Sequence, residues 1–196
     1  MGKEISGLSN PLAGIPMIVT TKRLELRPLE TSDAQFLADL INDPEVRSSL
    51  GAYDLIAPVS IDYEEKWVEN VATRNDQTHL MIQTRRASRP IGMVSTKDIN
   101  RRTGSVHVTI MLERASWGKG YGEEALGALV GFLFDSMNAH RVWLRVDARN
   151  ERAIKCYEKC GFRKEGTLRE DNFADGQWQS SHIMSVLSHE YGDGKR

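Results

Sequence analysis

In RLELRPL, Leu24 and Leu26 alternate with Arg23, Glu25 and Arg27, the period of a strand with one buried face. Ser32-Asp33-Ala34-Gln35 then reads as a capping box. It opens a helix with Phe36, Leu37, Leu40 and Ile41 on one side, which Asn42-Asp43-Pro44 ends. Asp62 with Glu65 predicts the cap of a second helix carrying Trp67, Val68 and Val71. His79 to Thr84 and Ile91 to Thr96 read as strands around the polar turn Arg85 to Pro90. A third strand, with Val106, Val108, Ile110 and Leu112 on one side, follows the turn Asn100 to Gly104, so the run predicts an antiparallel meander. After the glycines of Gly118 to Gly122, the residues Ala125, Leu126, Leu129, Val130, Leu133 and Met137 recur at helical spacing. Arg141 to Asp147 alternates again. A short helix runs from Glu151 to Cys160, with Gly161 as its left-handed cap. Asp175-Gly176 joins two last strand-like runs, a hairpin signal. The class is α+β: a mixed, mostly antiparallel central sheet flanked by helices, not a repeating βα array.

The 196 residues suit one domain over 17–196, preceded by a loosely packed arm over residues 1–16 that lacks the basic-then-apolar order of a signal peptide. With 26 basic and 27 acidic residues the net charge is -1, which argues against a nucleic-acid binder and leaves room for a local site for a small anion. The longest apolar run, Ala125 to Phe134, falls well short of the roughly 20 residues of a membrane span. Two cysteines, Cys156 and Cys160, are too few for a disulfide framework and read as reduced thiols in a cytoplasmic protein. Neither has a His or further Cys at zinc spacing, so no metal is expected.

The informative stretch is Val106 to Gly122, VHVTIMLERASWGKGYG, where a strand runs into glycines that open a helix. Gly118, Gly120 and Gly122 permit tight backbone turns and close approach of a ligand. The helix start adds unpaired N–H groups and a positive dipole end, a site for phosphate or diphosphate, to which Lys119 adds charge. Taken alone, the glycines are equally well read as a plain connection. A nucleotide P-loop needs G-x-x-x-x-G-K-[ST], which is absent. A dinucleotide fold lacks its third glycine, since Glu123 stands there, and the preceding meander is antiparallel. The third alternative is the diphosphate site of acetyl-CoA.

The sequence resembles the GNAT superfamily of acetyl-CoA-dependent N-acetyltransferases, in particular its RimJ/RimL-like branch that acetylates ribosomal-protein N-termini. RLELRPL, IGMVSTKDI, WGKGYGEEAL and ARNERAIKCYEKCGFRKEGTLRE carry the resemblance, in order, over Met17 to Leu187. Trp117 stands where the family loop usually has Gln or Arg. The resemblance implies that amides of Trp117, Gly118, Lys119, Gly120, Tyr121 and Gly122 hold the diphosphate. It further implies that the strand through Met111 and Leu112 pairs with the pantetheine arm in a gap between splayed central strands. Asn150 matches the residue that anchors that arm, and Tyr157 the general acid beside the thioester sulfur. Members are often homodimers. The acceptor is an amine, best matched by a protein N-terminus, with a polyamine or other small amine as the alternative. A non-catalytic CoA-binding module is the rival from another class.

The chemistry suits Tyr157. A thiol pKa near 8.5 and a tyrosine near 10 make proton transfer to the departing thiolate uphill by roughly 2 kcal/mol, small enough for a hydrogen-bonding acid to help. Deprotonating the acceptor at pH 7 costs about 1.4 kcal/mol for an α-amine and about 4.6 for a lysine-like amine. His107 is a candidate base; Glu113, Glu170 and Asp171 are others. Some members carry a Glu base in the strand before Asn150, and Arg145 occupies that place here. Ser180 replaces an Asp frequent in the branch's final hairpin.

Overall fold

In the computed structural model, residues 19–49, 58–72, 74, 77–174 and 176–193 are described. The expected arm over 1–16 and the turn residue Asp175 lie outside them. The strands are β1 (Val19–Thr20), β2 (Leu24–Pro28), β3 (Thr78–Thr84), β4 (Arg89–Asn100), β5 (Ser105–Leu112), β6 (Arg141–Asp147), β7 (Arg163–Ala174) and β8 (Gln177–Leu187). The helices are α1 (Ala34–Asn42), α2 (Pro44–Ser49), α3 (Ile61–Ala72), α4 (Tyr121–Asp135), α5 (Glu151–Lys159) and α6 (Ser188–Asp193). One sheet runs β1-β2-β3-β4-β5-β6-β8-β7 and is antiparallel except where β5 meets β6.

Alternation along the strands sorts side chains onto two faces. Leu24, Leu26, Leu80, Ile82, Val106 and Val142 pack with Leu126, Leu129 and Leu133 of α4, while Met81 and Met93 point the other way onto Leu37, Leu40, Val46 and Val68 of α1–α3. Each buried Leu or Met contributes about 2 kcal/mol of burial free energy, so both layers are anchored to the sheet that carries the cleft.

Local signals shift in three places. The amide of Glu30 donates to Asp33 Oδ2 at 2.9 Å, so the first box begins two residues earlier than expected. Asp33 is also held by Arg27, whose Nη2 lies 2.6 Å from its Oδ1. Ser60 Oγ, not Asp62, caps α3 by accepting from the Tyr63 amide at 3.2 Å; Asp62 pairs with Lys66 one turn on, at 2.8 Å. Asn42-Asp43-Pro44 ends α1 and also starts α2. Pro44 needs no donor at a first helical position, and Asp43 Oδ1 accepts from the amides of Glu45 and Val46 at 2.9 and 3.1 Å.

Candidate functional site

β5 and β6 pair only at Ser105↔Arg141, Val106↔Val142 and His107↔Trp143. Beyond that point Val108–Leu112 and Leu144–Asp147 diverge, and a cleft of about 610 Å³ opens between them. Its walls are both strands, α2 through Val46 and Ser49, the segment from Ser116 into α4, and one face of α5.

The turn at the mouth is built by backbone geometry. Gly118 and Gly120 have φ of 70° and 75°, a region that favours glycine. A Cβ at Gly118 would meet nothing within 4 Å, so the cradle is open to a ligand. Gly120 has no side chain with which to cap α4, so the first amides of that helix lack a helical acceptor and offer donors to an anion. A diphosphate fits this donor set. Arg23 fixes the turn from the bend just before β2: its Nη1 donates to the Lys119 carbonyl at 2.9 Å, its Nε lies 2.6 Å from Glu124 Oε2, and its guanidinium stands 4.6 Å above the Tyr121 ring. Burial pushes the Glu124 carboxyl up, but the Thr21 hydroxyl and the Arg23 amide and side chain together outweigh it and hold it below the usual range. Trp117 staples the other end, with its Nε1 donating to the Leu112 carbonyl at 2.8 Å. That carbonyl, at the end of the strand expected to pair with a pantetheine arm, is therefore already engaged.

Of the expected residues, Met111, Leu112, Trp117, Gly118, Gly120, Tyr121, Gly122, Asn150 and Tyr157 line the cleft. Asn150 is the N-cap of α5: its Oδ1 accepts from the Ala153 amide at 3.1 Å, and its Nδ2 donates to the Ser49 carbonyl of α2 at 3.4 Å. Tyr157 packs beside Phe162, ring centroids 6.1 Å apart, and against the α4 core. Lys119 is not part of the lining, and neither is His107. His107 lies at the closed end of the cleft, stacked on Trp143 at 4.4 Å with its Nδ1 3.9 Å from Asp98. Burial lowers its pKa, and Asp98 only partly opposes that. Glu113 is engaged by Arg89 and by Ser116, whose hydroxyl donates at 2.7 Å. Burial raises its carboxyl, and those bonds bring it below the usual value. Ser180 Oγ accepts from the Glu170 amide at 3.1 Å, in a bulge where Glu170 takes φ 51°. The same bulge brings the Asp171 carboxylate 2.8 Å from Arg145 Nη2.

The sequence reading did not single out Arg152, Lys155 and Lys159, which line the cleft from α5 together with Cys156. Their spacing, 152, 155, 156 and 159, is that of one helical face, and that periodicity could have found them. Arg152 lies 3.2 Å from the Trp117 ring centroid, and burial lowers its pKa. The three acids in the lining are each paired: Asp147 with Arg149 at 2.9 Å, Glu123 with Lys159 at 3.4 Å, Glu151 with Lys155 at 3.5 Å. Among the described residues no cluster of three or more His, Cys, Asp or Glu could hold a metal ion, and no helix is long and apolar enough to cross a membrane.

Comparison with known proteins returns one family and several relatives. A family model described as an acetyltransferase (GNAT) domain matches residues 23–163. The spermidine N(1)-acetyltransferase of Vibrio cholerae serotype O1 is 28% identical over 170 residues, covering 86% of this chain and 95% of that protein. The ribosomal protein uS5-alanine N-acetyltransferase of Escherichia coli K12 is 25% identical over 186 residues, covering 90% and 93%. The crystal structure of spermidine N-acetyltransferase from Vibrio cholerae in complex with CoA and spermine superposes with a TM-score of 0.79 at 27% identity, covering 87% of this chain and 99% of that one.

Proposed function

Because the chain belongs to the GNAT acetyltransferase family and is an acetyl-CoA-dependent N-acetyltransferase, we propose that its acceptor is a small amine of the polyamine class, acetylated by direct attack in a ternary complex. The observation that carries the reaction is the parting of β5 from β6, with the glycine turn at its mouth and Tyr157 in its wall. The acceptor class is supported by relatives that acetylate spermidine and align over most of both chains. The expected preference for a ribosomal-protein N-terminus has weaker support, from the more distant uS5-alanine enzyme, and is the second reading.

Bound acetyl-CoA supplies an activated thioester. The residues of the chain do the rest. The turn amides and α4 dipole hold the diphosphate. Arg152, stacked on the Trp117 ring, adds positive charge to that wall, while Lys155 and Lys159 balance Glu151 and Glu123. Tyr157 hydrogen-bonds the sulfur as it leaves and delivers a proton to it. Since the acids lining the cleft are each ion-paired, we assign the acceptor's proton to solvent rather than to a side-chain base. Two unpaired thiols suit a reducing cytoplasm. The test is thiol release from acetyl-CoA with spermidine, spermine, lysine peptides and N-terminal alanine peptides. Spermidine turnover at least about tenfold above that of any peptide supports the polyamine reading. The reverse order establishes the ribosomal-protein reading.

A further inference from the structure

Among the described residues, four basic side chains line the cleft, and three of them face a carboxylate. Arg145 pairs with Asp171 at 2.8 Å, Lys159 with Glu123 at 3.4 Å and Lys155 with Glu151 at 3.5 Å. Arg152 has no such partner among the described residues. Glu45, the carboxylate whose field reaches it, is taken by Arg114 at 2.7 Å. The neighbour of Arg152 is instead a ring. The central carbon of its guanidinium stands 3.2 Å from the centroid of the Trp117 indole. At that separation no nitrogen fits between carbon and ring. The group therefore lies flat on the indole, with its N–H donors pointing outward around its rim. The indole is itself fixed, because its Nε1 donates to the Leu112 carbonyl at 2.8 Å. The backbone of Arg152 is fixed by the Asn150 cap, whose Oδ1 accepts from the Ala153 amide at 3.1 Å. Arg152 is exposed in this position and so open to a ligand.

We propose that Arg152 binds the coenzyme, donating from the rim of its guanidinium to oxygens of a phosphate group and fixing the donor's anionic end against the Trp117 side of the cleft. The inference rests on the acetyl-CoA reading and names a residue for it. A planar fork of donors with no carboxylate to receive it matches the oxygens of an anion. Coenzyme A carries its negative charge on a diphosphate and a 3′-phosphate, whereas a cationic amine is repelled, so the ligand of Arg152 is the donor and not the acceptor. Trp117 begins the turn whose amides are assigned to the diphosphate, so side-chain and main-chain donors approach from α5 and from the turn. Because the indole already holds the guanidinium in place, little rotamer freedom is left to lose on binding.

Calorimetry on the full chain compares wild type, Arg152→Gln and Arg152→Lys. CoA is the probe, since it carries the phosphates without the reacting acetyl group. Arg152→Gln should raise the Kd for CoA about tenfold, the effect of losing one charge-assisted hydrogen bond. The gap from wild type should shrink as NaCl rises from about 50 to about 500 mM, because salt screens a charge contact and not a packing one. Arg152→Lys keeps a point charge without the planar fork and should fall between the two. Dephospho-CoA separates the two phosphate sources: a gap that persists with it assigns the contact to the diphosphate, and one that disappears assigns it to the 3′-phosphate. The proposal is overturned if Arg152→Gln binds CoA within about twofold of wild type, or if its loss is the same at both salt concentrations. Wild type that binds no CoA defeats the acetyl-CoA reading itself, whereas affinity that Arg152→Gln retains in full defeats only the role of Arg152.

Discussion

The indole of Trp117 donates its Nε1–H to the carbonyl oxygen of Leu112 at 2.8 Å, while the Arg152 guanidinium covers the same ring at 3.2 Å. One side chain thereby ties the end of β5 and the start of α5 to the glycine turn. Trp117→Phe keeps an aromatic face for Arg152 and deletes the hydrogen bond, worth about 1 kcal/mol. The KM for acetyl-CoA should rise about fivefold with little change in kcat. Steady-state kinetics showing an unchanged KM would remove the staple from the account.

Tyr157→Phe retains the ring that packs against Phe162 and α4 and removes only the proton donor. We expect kcat to fall about 100-fold or more, within the range of general-acid catalysis, while calorimetric affinity for acetyl-CoA stays within about twofold. A variant retaining wild-type turnover would show that the thiolate leaves unaided.

With each cleft acid paired to a cation, the neutral fraction of the acceptor limits attack. For a primary amine of pKa about 10.4, kcat/KM should climb about tenfold per pH unit between pH 7 and 9. A plateau beginning near pH 7 would reveal a side-chain base.

His79 is buried under α3. Its Nδ1 lies 2.8 Å from Ser95 Oγ, its ring meets Trp67 edge-on at 4.9 Å, and its Nε2 has no protein partner among the described residues. Burial, aided by Lys97 and Arg74, depresses its pKa from 6.5 to about 4. The unfolded chain therefore takes up this proton first as the pH falls. Stability is unaffected above pH 6.5, declines between 6.5 and 4, and is then lower by about 3 kcal/mol. Urea denaturation of wild type and His79→Gln at pH 7.5 and 4.5 checks this; equal pH sensitivity in both would assign the loss elsewhere.

Strand and helix identities were legible wherever a period ran long enough. Leu24 and Leu26 announce one buried face, and the glycines announce backbone that only they adopt freely. α2 escaped because six residues hold too little of a 3.6 period to be recognised. The Trp117–Arg152 stack escaped because it joins side chains 35 positions apart. The parting of β5 from β6 was expected only through family resemblance, since alternation shows which face of a strand is buried and not how far it stays paired with a non-local neighbour. His107 shows that limit: its parity suits a cleft residue, but it lies on the last paired rung.

Because β5 and β6 share only three rungs, the sheet is two half-sheets joined by a short seam. In the proposed site, a donor molecule lodged between Val108–Leu112 and Leu144–Asp147 would bridge what the polypeptide leaves unjoined. Binding there would tie the enzyme's cohesion to the supply of its own substrate: mass action would make it toughest when acetyl-CoA is plentiful and most fragile in the interval after product departs.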